Sequence, residues 1–228
     1  MSEASVAIIG AAIGALATVG GAFAQNFLQG RRDARQRHET RETEARERRE
    51  AVAQRYLFQL QDAVDSLRYR LDNWASRGGQ AWATSVDADY WDVTTLYALA
   101  RALAAERILM LEGVYPQVEK GSPGLGRFLI DSSVEGALGR NLRGLFYYHR
   151  LALAEAALQR EVDGFRIATY SEFRRQYGDP SSGLDTLLAP ATEAIDHLDE
   201  TRMLALKRSL DEITEKLGQE TGMPSGNP

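Results

Sequence analysis

The residue types best suited to chemistry lie between positions 140 and 150, where Arg140, Arg143, Tyr147, Tyr148, His149 and Arg150 place guanidinium groups beside aromatic rings. Arg174 and Arg175 follow on a separate short segment. Planar forks that bind oxyanions, with rings on which a base can stack, suit a phosphate-bearing or single-stranded nucleic-acid ligand. A simpler reading weighs more: Tyr147 and Leu151 belong to the core, Arg140 and Arg143 are solvated, and the charges pair with nearby glutamates. Glu193, His197 and Glu200 recur at i, i+4 and i+7, which on one helical face would gather two carboxylates and an imidazole as hard-metal ligands. A solvated helix in an acidic chain produces that spacing readily, so no metal or other cofactor is expected. Gly139 and Gly144 have the G-x4-G spacing of a phosphate loop, but Leu145 stands where the lysine should be. Gly124-Leu125-Gly126 lacks the third glycine of a dinucleotide fingerprint and reads as a turn. His38 has no partner pattern. Cysteine is absent, which removes thiol nucleophiles, thiolate metal sites and disulfides. No spacing singles out an acid–base pair, and no enzymatic activity is expected.

The elements that must position these groups are helical. Tyr56, Leu60, Ala63, Leu67, Leu71 and Trp74 repeat at three and four, predicting an amphipathic helix that ends near Gly78-Gly79. A second helix, from about Asp89 to Glu112, is apolar on nearly every side and reads as central. Arg101, Glu106 and Arg107 interrupt it too often for a membrane span. Gly113, Pro116 and the run from Gly121 to Gly124 form a break. A third helix is expected from about Ser133 to Val162, a short one around Ser171–Tyr177, and a last one from Pro190 to about Leu217. No alternating strand run stands out. The fold class expected is all-α: a helical bundle over residues 52–217, then a disordered tail over 218–228.

The first fifty residues differ in kind. Positions 4–30 carry no charge, and as a helix they would extend about 40 Å, enough to cross a bilayer core of about 30 Å. Arg31, Arg32, Arg35 and Arg37 follow at once, which places the N-terminus outside and the rest in the cytoplasm, in a single pass of the inner or plasma membrane. Ala22-Phe23-Ala24 before Gln25 would suit a signal peptidase, but no cationic segment precedes the apolar run, and a retained anchor is the stronger reading. Gly10, Gly14, Thr18, Gly21 and Gln25 cluster on one side of this helix, with Gly10 and Gly14 as a G-x-x-x-G contact for a second copy. Thr18, Gln25 and Gln29 would line a pore if the copies formed a ring. Residues 31–51 have no apolar stripe, and acids precede bases by four in Asp33/Arg37, Glu42/Arg46 and Glu44/Arg48, the mark of a solvated helical stalk. The chain carries a net charge of −5, although residues 31–55 are basic; the domain beyond them is acidic, which does not favour a nucleic-acid partner.

This layout resembles uncharacterised single-pass membrane proteins of high-GC bacteria, and is similar to the membrane effectors of antiphage systems of the Hailong type. The likeness lies in architecture, over residues 4–55, and no functional position carries over. It implies a ligand-controlled helical domain that gates an oligomeric membrane segment. Two functions are therefore expected as alternatives. One is a non-enzymatic, membrane-anchored interaction or sensor module that binds a cytoplasmic protein or an anionic ligand. The other is a ligand-gated channel or membrane-disrupting effector assembled through residues 4–30.

Overall fold

The computed structural model describes residues 40, 41, 43, 44, 47, 50–76, 88–162 and 164–221. The chain divides between Arg49 and Glu50 into two units. In the first, the described residues are helical and exposed. The anchor expected at 4–30, with Gly10, Gly14, Thr18, Gly21 and Gln25, lies outside the described residues. Among those that are described, no helix is long and apolar enough to cross a membrane.

The second unit is a predominantly helical domain. Helix α1, residues 50–76, buries Tyr56, Leu60, Ala63, Leu67, Leu71 and Trp74, the stripe its periodicity predicts. Helix α2, Ala88–Leu111, is the central element, as its all-round apolarity predicts. Leu96, Leu99, Leu103, Ile108 and Leu109 are buried along it, and Ala100, Ala102, Ala104 and Ala105 leave room for neighbours to approach closely. Side chains tie α1 to α2: Arg101 pairs with Asp62, and the Arg70 guanidinium lies 4.3 Å from the Trp91 ring centre.

Two short helices, α3 (Tyr115–Gly121) and α4 (Leu125–Asp131), occupy the segment expected to be a break. Gly124 is the N-cap of α4, so the Gly124-Leu125-Gly126 turn opens a helix. The single helix expected over Ser133 to Val162 is several elements. Helix α5 (Val134–Asn141) starts at Ser133, whose hydroxyl accepts the Gly136 N–H at 2.9 Å. The chain then turns at Gly144, where φ is +83°, a conformation costly for any residue with a Cβ. Helix α6 (Tyr147–Ala157) packs along α2, and a two-stranded antiparallel hairpin follows, β1 (Leu158–Glu161) and β2 (Gly164–Ile167). The hairpin corrects the expectation that no strand occurs. Two residues link Glu161 to its partner Gly164, and strands of four residues are too short to show alternation in the sequence.

Helix α7 (Tyr170–Tyr177) begins with a capping box, in which Thr169 and Glu172 satisfy each other's backbone N–H groups. Arg166 of the hairpin is bonded to Glu172 at 2.8 Å, so cap and hairpin hold one another. The last expected helix is two: α8 (Leu184–Asp196) and α9 (Glu200–Thr221). Pro190 lies inside α8 instead of starting it. A proline there costs about 3 kcal/mol, offset by the buried face of Leu184, Leu188, Ala191, Ala194 and Ile195. Asp199 accepts the Arg202 N–H at 2.8 Å and starts α9. That helix passes through Gly218 to Thr221, so the tail does not begin at 218.

Ser133→Ala removes the side-chain acceptor at the start of α5. It should lower stability by about 1 kcal/mol, seen in chemical denaturation as a lower midpoint with an unchanged slope.

Candidate functional site

The α5–α6 corner is built by a short relay that starts on α2. Glu106 of α2 is 4% exposed, and its carboxylate accepts the Val134 N–H at 2.9 Å and the Glu135 N–H at 2.8 Å. These are donors of the first turn of α5, which have no partner inside their own helix and favour a negative charge. Glu135 then turns its own carboxylate to Arg150 of α6, at 2.9 Å and 3.2 Å from two guanidinium nitrogens. Arg150 also donates to the Leu145 carbonyl. Its guanidinium lies across Gly139, where a Cβ would come within 2.9 Å of Arg150 Cζ. Gly139 thus serves close packing of an arginine, and Gly144 serves the turn; neither belongs to a phosphate loop.

Of the residues singled out in the sequence, Arg150 is therefore structural and partly buried. The others surround an exposed corner. Arg140 lies in the last turn of α5, Arg143 lies in the loop, and Tyr147, Tyr148 and His149 form the first turn of α6. Tyr148 is 77% exposed and Tyr147 49%, while His149 Nδ1 lies 3.1 Å from the Gly144 carbonyl oxygen. Sequence reasoning missed Phe146, which is 69% exposed at the N-cap of α6. Its signal was present, three consecutive aromatic residues beside a glycine. Arg174 and Arg175 are exposed on α7, an element that packs on α2 and α8.

Beside the corner lies a cleft of about 480 Å³, lined by Arg143, by Glu193 of α8, by His197 and Asp199 of the α8–α9 turn, and by Arg202 of α9. Arg202 pairs with Asp199 at 3.4 Å. Because α8 ends at Asp196, Glu193, His197 and Glu200 do not share one helical face: His197 is the C-cap and Glu200 opens α9. Between α2, α5 and α6, a smaller cavity of about 120 Å³ is lined by Glu106, Arg107, Met110, Glu135, Tyr147 and Arg150.

The electrostatics separate two classes of carboxylate. Burial pushes Glu106 up to about 7, outweighing the two N–H bonds that favour its charged form, and the neighbouring Glu135 adds to the rise. Burial likewise raises the Tyr115 phenol, with a further contribution from the Glu106 charge. Glu172 is the opposite case: bonds from Arg166 and Thr169 hold it well below the usual carboxylate range. The corner thus sets exposed arginine and aromatic side chains beside a buried carboxylate whose charged form is disfavoured. No protein-family model, curated protein or solved structure matches the chain.

A carboxyl group with a raised folded-state value stabilises the fold fully below its unfolded value of 4.5, and that contribution is lost as pH rises through about 7. The melting temperature of the wild-type chain minus that of Glu106→Gln should therefore increase between about pH 8 and pH 5, by roughly 2–4 °C for each kcal/mol. Taking the difference cancels groups common to both proteins, and a pH-independent difference would contradict the assignment.

Proposed function

We propose that this chain is a non-enzymatic, membrane-anchored helical module that binds a phosphate-bearing ligand of nucleotide type at the α5–α6 corner. The observation that carries the reading is local. Residues 136–154 contain three arginines and no acid in a chain of net charge −5, and the structure exposes Phe146, Tyr147 and Tyr148 within that stretch. Arg150 is committed to Glu135, which leaves Arg140 and Arg143 as the anion-binding pair. The cleft beside Arg143 is of a size to hold a nucleotide. Exposed rings supply stacking surfaces worth about 1–3 kcal/mol per base, and arginine supplies charge-assisted bonds to phosphate. The anchor and its orientation rest on the uncharged run 4–30 and the arginines that follow it.

A second reading makes the same domain the control element of a ligand-gated channel or membrane-disrupting effector. What favours it is Gly10-x3-Gly14, with Thr18, Gly21 and Gln25 on the same side of the uncharged segment. On that reading the ligand of the corner sets the state of a homo-oligomer formed through residues 4–30.

Calorimetric titration of the full chain in detergent with nucleoside mono- and diphosphates tests the first reading. Binding should weaken about tenfold or more in Arg143→Ala and in Tyr148→Ala, with little change in Arg208→Ala, an exposed arginine of α9 that does not line the cleft. Absence of binding by any of these phosphates would overturn it. Cross-linking in the same detergent addresses the second reading, which expects a defined oligomer that Gly14→Leu disrupts.

A further inference from the structure

We propose that Glu106 is a proton-binding site that regulates the α5–α6 corner, its protonation loosening the first turn of α5 and, through Glu135 and Arg150, the loop that presents Arg143 and Phe146. The inference deepens the ligand-binding reading above and rests on it for its biological use, although the coupling itself requires no ligand.

Among the described residues, Glu106 is the one buried carboxylate. It is not packed away from all solvent paths, because it borders the 120 Å³ cavity between α2, α5 and α6. Each of its two oxygens is committed to a different backbone N–H, at 2.9 Å and 2.8 Å. Taking up one proton from solvent changes the carboxylate charge from −1 to 0 and turns one oxygen into a hydroxyl. That oxygen becomes a donor facing a donor, and the other loses its full charge. Hydrogen bonds to a charged acceptor are roughly twice as strong as neutral ones, so both backbone bonds weaken together. Global unfolding releases the carboxyl to water and is opposed by its protonation, whereas this local loosening breaks the two N–H bonds that favour the charged form while Glu106 stays buried, and protonation promotes it.

The consequence travels along bonds already described. The Glu135 N–H is one of the two affected donors, and the Glu135 side chain holds Arg150. Arg150 in turn donates to the Leu145 carbonyl, next to Gly144 and Phe146. The groups that face Glu106 come from four elements: Arg107 on its own helix α2, Tyr115 from α3, Glu135 from α5, and Tyr147 and Arg150 from α6. Glu135 opposes the negative charge of Glu106 directly. Burial places the exchange of this proton near neutrality, where a modest change in pH or in a nearby anionic charge shifts its occupancy.

Hydrogen–deuterium exchange of the full chain in detergent tests the proposal, with rates normalised for intrinsic exchange. Between about pH 8 and about pH 6, peptides spanning 134–149 should lose protection by roughly fivefold to tenfold, while the α7 peptides, whose helix packs on α2 and α8, lose none. Glu106→Gln should hold the 134–149 peptides at the low-protection level throughout. His149→Gln, which removes the imidazole of the corner, should retain the wild-type pH dependence. Loss of the dependence in His149→Gln, its persistence in Glu106→Gln, or its absence in the wild type would each overturn the proposal. If Glu106→Gln fails to fold by circular dichroism, the wild-type and His149→Gln profiles decide. Failure of nucleotide binding would leave these exchange results untouched, so the two readings fail separately.

Discussion

A carboxylate in the middle of an apolar helix is expensive to bury, and the domain is arranged around meeting that cost at Glu106. An isolated charge in such surroundings would be heavily destabilising or would simply neutralise. Here the N-terminal turn of α5 arrives with two unpaired N–H groups and the positive end of its dipole, and each supplies what the other lacks. Elsewhere α2 is tied to α1 through Arg70 and Arg101, and Tyr97 donates to the Ala168 carbonyl at 2.9 Å just before α7, while its contacts with α5, α6 and α8 are largely aliphatic. The Glu106 interaction is directional, and it fixes where α5 starts against the central helix.

Much of the corner follows from that placement. Once α5 starts at Ser133, Gly139 falls where Arg150 must cross, and Glu135 falls within reach of the same guanidinium. Arg150 then ties the α5–α6 loop to α6 through the Leu145 carbonyl, while Leu145 itself is buried. The left-handed turn at Gly144 leaves Phe146, Tyr147 and Tyr148 projecting outward beside Arg143. Exposed aromatic residues in a row are unfavourable for a solvated surface with no partner, which is why this surface, and not the ion pairs elsewhere, carries the functional reading. The hairpin and α7 form a second locked unit, in which Arg166 bridges Glu161 and the Glu172 of the capping box.

The helical class, the amphipathic face of α1 and the central position of α2 were legible in the sequence because they depend on local periodicity alone. The breaks within 133–162 and 190–217 were not. Gly144 reads as one glycine in a helix-compatible run, and its role appears only once α6 folds back on α2. Pro190 reads as a helix start by local rules, whereas tertiary burial of Leu184 and Leu188 extends α8 upstream of it. The aromatic–arginine cluster was visible as a composition, but which arginine was structural depended on Glu135 fifteen residues away. Glu106 was read only as an interruption of an apolar helix. Its partners are backbone groups 28 and 29 residues later, and backbone donors leave no mark in a sequence.

The central claim is that Glu106 and Arg150 act as one connected unit, and a double-mutant cycle measures that directly. The stabilities of wild type, Glu106→Gln, Arg150→Met and the double variant would be taken from chemical denaturation at about pH 8, where the carboxylate is mostly charged. The relay predicts an interaction energy of about 1 kcal/mol or more between the two sites, because loosening α5 already forfeits part of what Arg150 contributes. Additivity within about 0.3–0.5 kcal/mol would mean that the two groups act independently, and would contradict the account.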